Sequence, residues 1–340
     1  MTGERGQVSD EVTGNGNATG LSARTVAVAP PAAAQRSALR KVYGFVSQQP
    51  RLRKALMTMP GLRQLAWRFV AGEDLDSGVA VARSLNSRGI MASLNFVGTH
   101  VRSREEVMEA TEAAIEALQR IHDENLDANL SVKPTQLGLD IDEEFCGRQL
   151  RRVVERAGEL GLFVRIDMEE FVYVEPTLRL FEELRTEFGA ETVGIVLQSY
   201  LRDRTGDLER VIAGGSSVRL TKGGYWEPDV AYREKADIDR CFGRDLELLL
   251  TGGCQPAIAT HDEQFVNRTR EVAAGLELAP AAFEFQMLYG VRPDLQESLV
   301  GEGYRVRCYI PYGGQWLPYF LGCVRRLPGG AMRRLHRRGQ

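Results

Sequence analysis

The chain has 340 residues, 43% of them apolar, enough for one large α/β domain or two smaller ones with a sizeable core. Its formal charge of −3, from 43 Lys and Arg against 46 Asp and Glu, provides no global field for nucleic acid, and no nucleic-acid partner is expected. The five cysteines, at 146, 241, 254, 308 and 323, form no Cys-x-x-Cys pair and have no nearby His at metal-ligand spacing, which argues for free thiols in a reducing, cytoplasmic compartment and for no metal. No apolar run of about 18 residues and no charged-then-apolar start supports a membrane span or a secretory leader, so membrane contact is expected to be peripheral at most.

Residues 1–37 are rich in Gly, Ala, Thr, Ser and Pro without an apolar period, and read as a disordered leader. Residues 38–89 read as an N-terminal helical arm. Its apolar residues, among them Val42, Phe45, Leu52, Leu56, Leu65, Trp67 and Phe69, recur near helical spacing, with breaks at Pro50 and Pro60. A longer helix is predicted from roughly Leu75 to Arg88, closed by Gly89. Eight apolar or β-branched runs follow between amphipathic helices: Ile90–Val97, Ala128–Lys133, Leu162–Met168, Val193–Ser199, Ser217–Lys222, Pro256–Thr260, Phe283–Leu288 and Tyr304–Ile310. Eight β-α units in series predict a (β/α)8 barrel of the TIM type over residues 90–327, an open doubly wound sheet being the alternative. The basic tail, 328–340, completes the chain. From Arg325 to Gln340 there are six arginines and no acid, which suits a solvated end or attraction to anionic lipid, a partner or a substrate phosphate or carboxylate.

The residues that carry chemistry sit at the C-terminal ends of the predicted strands, the face on which barrels place active sites. Lys133 ends the second strand and Asp167 the third. Facing one another across a barrel mouth, each would keep the other ionised, either inside a site or as a structural ion pair. Gln198 ends the fourth strand and offers an amide edge to a planar heterocycle. The fifth runs into Arg219-Leu-Thr-Lys-Gly-Gly-Tyr-Trp226, where Arg219 and Lys222 supply charge, Gly223 and Gly224 permit close backbone approach and Trp226 supplies a stacking face. Thr260 and His261, after the sixth, suit phosphate or ribose, though a lone His is more often a structural hydrogen-bonder. No Gly-x-Gly-x-x-Gly follows a strand, so these residues suit a flavin better than a nicotinamide. Arg219 is the candidate cation beside the flavin N5–N1 edge, where positive charge stabilises the reduced ring.

Lys133-Pro-Thr-Gln-Leu-Gly, Asp167-Met-Glu, Arg219-Leu-x-Lys-Gly-x-Tyr-Trp, Ala259-Thr-His, Phe283-Glu-Phe-Gln-Met-Leu-Tyr-Gly and Tyr309-x-Pro-Tyr-Gly occur in this order. In them, and over residues 70–327, the chain resembles the proline dehydrogenases. The resemblance implies a distorted (β/α)8 barrel with a C-terminal lid helix and non-covalent FAD. The implied reaction oxidises proline to Δ1-pyrroline-5-carboxylate by hydride transfer to flavin N5, with a quinone, or else oxygen, as electron acceptor. By motif, Met168, Gln198, Lys222, Gly223, Gly224, Trp226, Thr260 and His261 would touch FAD and Arg219 would sit by N5. Asp167 and Lys133 would form the charged pair of the substrate site, and Tyr225, Leu288 and Tyr309 would pack on the substrate ring.

Two departures disturb that transfer. The family's first strand runs into Leu-Gly-Glu, whose Glu pairs with the first of two lid arginines, and here Thr99 stands in the place of the Glu. The family's lid reads Tyr-x-x-Arg-Arg, with a Glu three residues on. Aligned without gaps on Tyr319, the arginines become Gly322 and Cys323 and that Glu becomes Arg326. A three-residue insertion would instead make Arg325 and Arg326 the clamp, but it turns the helix by about 300° and leaves them about 60° off the original face. The ungapped alignment is preferred, and it removes both partners of the gate together. The expected activity is therefore FAD-dependent oxidation of a C–N bond in a proline-like or other amino or hydrazino substrate, in specialised metabolism. The alternatives are a true L-proline dehydrogenase clamped by Arg325 and Arg326, and a non-catalytic flavin-binding module.

Overall fold

A computed structural model describes residues 56–98 and 101–326, with side chains up to Cys323. The predicted leader, the arm before residue 56, Thr99, the basic tail and the side chains of Arg325 and Arg326 lie outside the described residues.

Eight strands form one closed parallel barrel in chain order: β1 Met91–Phe96, β2 Ala128–Val132, β3 Val164–Ile166, β4 Val193–Gln198, β5 Ser217–Thr221, β6 Cys254–Ala259, β7 Glu284–Leu288 and β8 Arg305–Tyr312. The pairing of β1 with β8, from Met91 opposite Arg307 to Phe96 opposite Tyr312, closes the ring and rules out an open doubly wound sheet. β8 runs two residues beyond its predicted end, through Pro311. Pro311 has no N–H to give, but its carbonyl accepts from the Ala71 N–H at 2.9 Å, so the strand is held from outside the sheet.

A period of two runs through the strands and separates two environments. One set, including Leu94, Leu130, Val164, Ile166, Ile195, Val218, Leu220, Ile258, Phe285, Val306 and Cys308, is buried against the surrounding helices in one continuous apolar core. Each such side chain contributes about 1.5–3 kcal/mol on full burial. The alternate set, including Ser93, Asn95, Ser131, Arg165, Asp167, Arg219, Glu284, Gln286 and Arg307, is equally buried yet polar. These side chains bond to one another across the barrel, so its interior is a packed column of charge and amide rather than of oil. Gly194, paired with Arg165 in register, makes room for it: a Cβ there would lie 2.6 Å from Arg165 Nη1.

The helices are α1 Pro60–Ala66, α2 Leu75–Asn86, α3 Arg104–Asp123, α4 Glu143–Glu159, α5 Val174–Phe188, α6 Thr205–Ala213, α7 Lys235–Gly252, α8 Glu263–Gly275, α9 Pro293–Gly301 and α10 Trp316–Arg326. The expected break at Pro60 is present: a helical stretch ends at Met57, and Pro60 begins α1, where its missing N–H costs nothing. The Asp74, Ser103, Asp142 and Asp262 side chains cap α2, α3, α4 and α8. α1 and α10 form a second, smaller cluster of Ala66, Phe69, Val70, Val291, Trp316, Leu317 and Phe320. Trp67 meets Trp316 edge-on at 5.2 Å, and the Trp316 indole N–H donates to Glu73 at 3.2 Å. This cluster seats α10, the predicted lid, beside the end of β8.

Candidate active site

Four predicted residues from four strands converge at the C-terminal mouth. The Asp167 carboxylate accepts from Arg219 Nη1 at 2.9 Å on Oδ1, and from Tyr309 Oη at 2.8 Å and Lys133 Nζ at 3.4 Å on Oδ2. Lys133 Nζ also donates to Tyr309 Oη at 3.2 Å and Asn95 Oδ1 at 3.3 Å, which engages all three of its protons. The Arg219 guanidinium carbon lies 5.3 Å from the centre of the Tyr309 ring. Burial, and then the Asp167 charge, hold the Tyr309 phenol well above its ordinary range.

Arg219 is 5% exposed, and four of its five N–H groups have protein acceptors. Nε donates to Gln286 Oε1, Nη1 to Asp167, and Nη2 to Ser93 Oγ at 3.2 Å and Ser131 Oγ at 3.0 Å. One Nη1 proton has no acceptor among the described residues. Gln198 Nε2 donates at 3.0 Å to the carbonyls of Met168 and of Glu169, which fixes the amide and leaves Oε1 as a buried acceptor with no partner among the described residues.

The remaining predicted contacts surround this core at the strand ends. Lys222 Nζ is tied to Asp239, at 2.6 Å, and Asp262, at 3.2 Å, over the Phe265 ring at 4.1 Å. Gly223, expected only to admit a ligand, has a more local need: φ is +102° and a Cβ would collide with the Tyr200 ring. Gly224 and half-buried Tyr225 follow it, and Trp226 is 55% exposed at the rim. Thr260 is buried, with Oγ1 accepting from the Asp262 N–H at 3.1 Å. His261 Nε2 accepts from the Leu288 N–H at 2.8 Å, so the neutral ring carries its proton on Nδ1. Burial, then the like charge of Arg292, bring that imidazole down to about 4. His261 thus holds Leu288 in place through its backbone.

α10 runs unbroken from Trp316 to Arg326, so Gly322 and Cys323 stand three and four residues after Tyr319, one turn along the same face. After burial and the Asp167 charge, Tyr319 on this helix also raises the Tyr309 phenol. Cys323 is buried, and among the described residues a Cβ at Gly322 would meet no atom within 4 Å.

Sequence reasoning missed Ser93, Asn95, Ser131 and Gln286, direct partners of the predicted cations, and Glu284, which reaches Arg219 through Gln286. Their signal is present: each is a polar residue in the alternate set of an otherwise apolar strand. Glu169 was also missed as a partner of Thr135, whose N–H and Oγ1 donate to it at 3.0 and 2.8 Å.

The model of the family described as proline dehydrogenase matches residues 79–328. Proline dehydrogenase 1 of Bacillus subtilis subsp. natto is 36% identical over 294 residues, 86% of this chain and 96% of that protein. The proline dehydrogenase of Deinococcus radiodurans is 36% identical over 298 residues, 86% of this chain and 95% of that one. Among solved structures, proline utilization A from Bdellovibrio bacteriovorus, inactivated by N-propargylglycine, matches with a TM-score of 0.73 at 26% identity. The match covers 77% of this chain but 32% of that much longer one. With the barrel, the strand-end motifs and near full-length relatives in agreement, the chain belongs to the proline dehydrogenase family, oxidoreductases that act on CH–NH donors.

Proposed function

We propose that the protein is an FAD-dependent dehydrogenase of a proline-like or related amino or hydrazino compound that lacks the free carboxylate of proline. The observation that carries the redox reading is the Arg219–Asp167–Lys133–Tyr309 constellation, which joins two cations, one carboxylate and one aromatic ring at a barrel mouth. The residues present suit a flavin. Among the described residues Gln198 Oε1 is a buried acceptor without a partner, and Arg219 keeps one donor. Arg219, Gln198, Met168, Lys222, Gly223, Gly224, Trp226, Thr260 and His261 would hold the cofactor. Bound FAD supplies the two-electron acceptor. The substrate carbon gives up a hydrogen with both bonding electrons, the nitrogen gives up a proton, and a C=N bond forms. Tyr225, Leu288 and Tyr309 would pack on the substrate, while Lys133 and Asp167 set the charge around it. Either a quinone or dioxygen would reoxidise the enzyme.

The substrate reading rests on Gly322 and Cys323. Each bond from an arginine to a carboxylate is worth roughly 1.5–3 kcal/mol, and neither residue supplies one. Lys133 has no proton left to offer in their stead. The second reading, L-proline held by a rearranged clamp, is favoured by the reach of α10 to Arg326, two turns beyond Tyr319.

The purified protein should carry a flavin band near about 450 nm. That band should bleach anaerobically with prolyl esters, amides or thioesters, or with another cyclic or acyclic amine or hydrazine, and respond weakly to L-proline. Flavin that no amine bleaches would sink the catalytic reading and leave a flavin-binding module. Efficient L-proline oxidation that collapses in an Arg325→Ala, Arg326→Ala variant would establish the second.

A further inference from the structure

Below the mouth, the barrel interior continues as a chain of directed bonds that the proposed function leaves unused. Arg307 Nε and Nη2 grip Glu284 at 2.9 and 3.2 Å, and Arg307 Nη1 donates to the Ala92 carbonyl at 2.8 Å. Glu284 accepts in turn from Gln286 Nε2, and Gln286 Oε1 accepts from Arg219 Nε. The direction of this chain is chemically forced. A carboxylate only accepts and a guanidinium only donates, so the Gln286 amide has one orientation that satisfies both. Burial would raise the Glu284 carboxyl, but the charge and hydrogen bonds of Arg307 overcome it and bring it down to about 2, so the acceptor end stays ionised.

Arg219 is consequently clamped on every edge but one: Gln286 at Nε, Ser93 and Ser131 at Nη2, and Asp167 at Nη1. A guanidinium without the Gln286 acceptor would be free to swing about its last rotatable bonds. The column also carries unbalanced charge. Among the described residues Lys133, Arg165, Arg219 and Arg307 are set against Asp167 and Glu284, an excess of two positive charges, and half-buried Arg305, 3.5 Å from Glu284, adds a further cation. Burial and then the like charge of Arg219 lower Arg165 to about 9, which leaves it protonated at neutral pH. Glu169, raised to about 7, adds at most part of a negative charge. In a medium of low dielectric such an excess favours whichever state of a bound redox group is more negative.

We propose that Gln286, Glu284 and Arg307 are positioning residues that lock the Arg219 guanidinium in one rotation, and that this charged column sets the reduction potential of the flavin bound at the mouth. The inference rests on the flavin reading of the site. It assigns opposite roles to two adjacent links. Gln286 orients Arg219, whereas Glu284 both orients Gln286 and subtracts from the positive charge.

The test is spectroelectrochemical titration of the purified holoenzyme and two variants, with FAD affinity and steady-state kinetics measured alongside. Gln286→Met keeps the volume and removes the acceptor. It should favour the oxidised flavin by about tenfold, about 30 mV lower for a two-electron couple, and lower kcat with KM little changed. Glu284→Gln keeps an acceptor for Gln286 and removes the negative charge, and should move the potential upward. Opposite signs are the signature, since loss of packing alone would move both variants the same way or neither. If one variant does not fold, the other still decides: its expected sign with FAD affinity unchanged supports the proposal, and no shift or the reverse sign overturns it. Potentials unchanged in flavin-loaded variants, or shifts of the same sign, overturn the positioning role. A wild-type protein that binds no flavin overturns the flavin reading, and this inference with it.

Discussion

The Tyr309 hydroxyl donates to Asp167 Oδ2 at 2.8 Å and accepts from Lys133 at 3.2 Å, so the phenol relays between a strand-end anion and a strand-end cation. Asp167 is the single carboxylate on which Arg219, Lys133 and Tyr309 all bond, which leaves the two cations without their common acceptor when it is neutralised. Asp167→Asn is expected to slow flavin reduction by about 100-fold, the scale seen when one preorganised electrostatic partner is lost. Tyr309→Phe removes one charge-assisted bond and should cost roughly tenfold. Stopped-flow absorbance with the best amine substrate measures both. A faster Asp167→Asn enzyme would show that the carboxylate is not part of the machinery.

Among the described residues no atom lies within 4 Å of a Cβ placed at Gly322, and Cys323 is buried on the same face of α10, one turn beyond Tyr319. The double substitution Gly322→Arg, Cys323→Arg should therefore create affinity for a free carboxylate. KM for L-proline is expected to fall at least tenfold, about 1.4 kcal/mol, less than one full arginine–carboxylate bond. The steady-state ratio of L-proline to L-proline methyl ester turnover reports the switch. An unchanged ratio would place carboxylate recognition elsewhere.

Glu169 is 5% exposed, and burial, opposed by the Lys133 charge and the Thr135 hydrogen bonds, lifts its carboxyl from 4.5 to about 7. A raised folded value means that its contribution to stability is fully present below pH 4.5 and is lost as pH rises to about 7. His261 has the opposite sign: its folded value is about 4, so its contribution is lost as pH falls from 6.5 towards 4. The two slopes oppose each other across most of this window. Glu169→Gln should thus leave a stability that climbs with pH, with a gain over the parent of roughly 3 kcal/mol above pH 7 and none below pH 4.5. Urea denaturation across pH 4–8 tests it, and parallel curves for the two proteins would contradict the assignment.

Trp316 is fully buried and joins α10 to α1 through Trp67 and Glu73. Trp316→Ala should cost about 3–5 kcal/mol, felt first in this small cluster and not in the barrel. Limited proteolysis is expected to cut within α10 in the variant under conditions that spare the parent, while far-UV circular dichroism stays nearly the same. Uniform loss of the whole signal would mean that α10 and the barrel unfold as one unit.

The sequence by itself determined the eight-unit order, the approximate span of every strand and the strand-end residues Lys133, Asp167, Arg219 and Tyr309. Period-two burial and Gly, Pro and cap residues are local signals, readable without knowing what lies across the fold. It also exposed the departure at Gly322 and Cys323, since substitution within a motif needs no coordinates to see. Only the tertiary structure decided that β1 pairs with β8 and closes the ring, because that contact joins residues more than two hundred positions apart. It alone united Ser93, Ser131, Glu284, Gln286 and Arg307 with Arg219. Each is an unremarkable polar residue in its own strand, and its partners come from other strands at long range, where hydrogen-bond direction and shared burial, not spacing, select them.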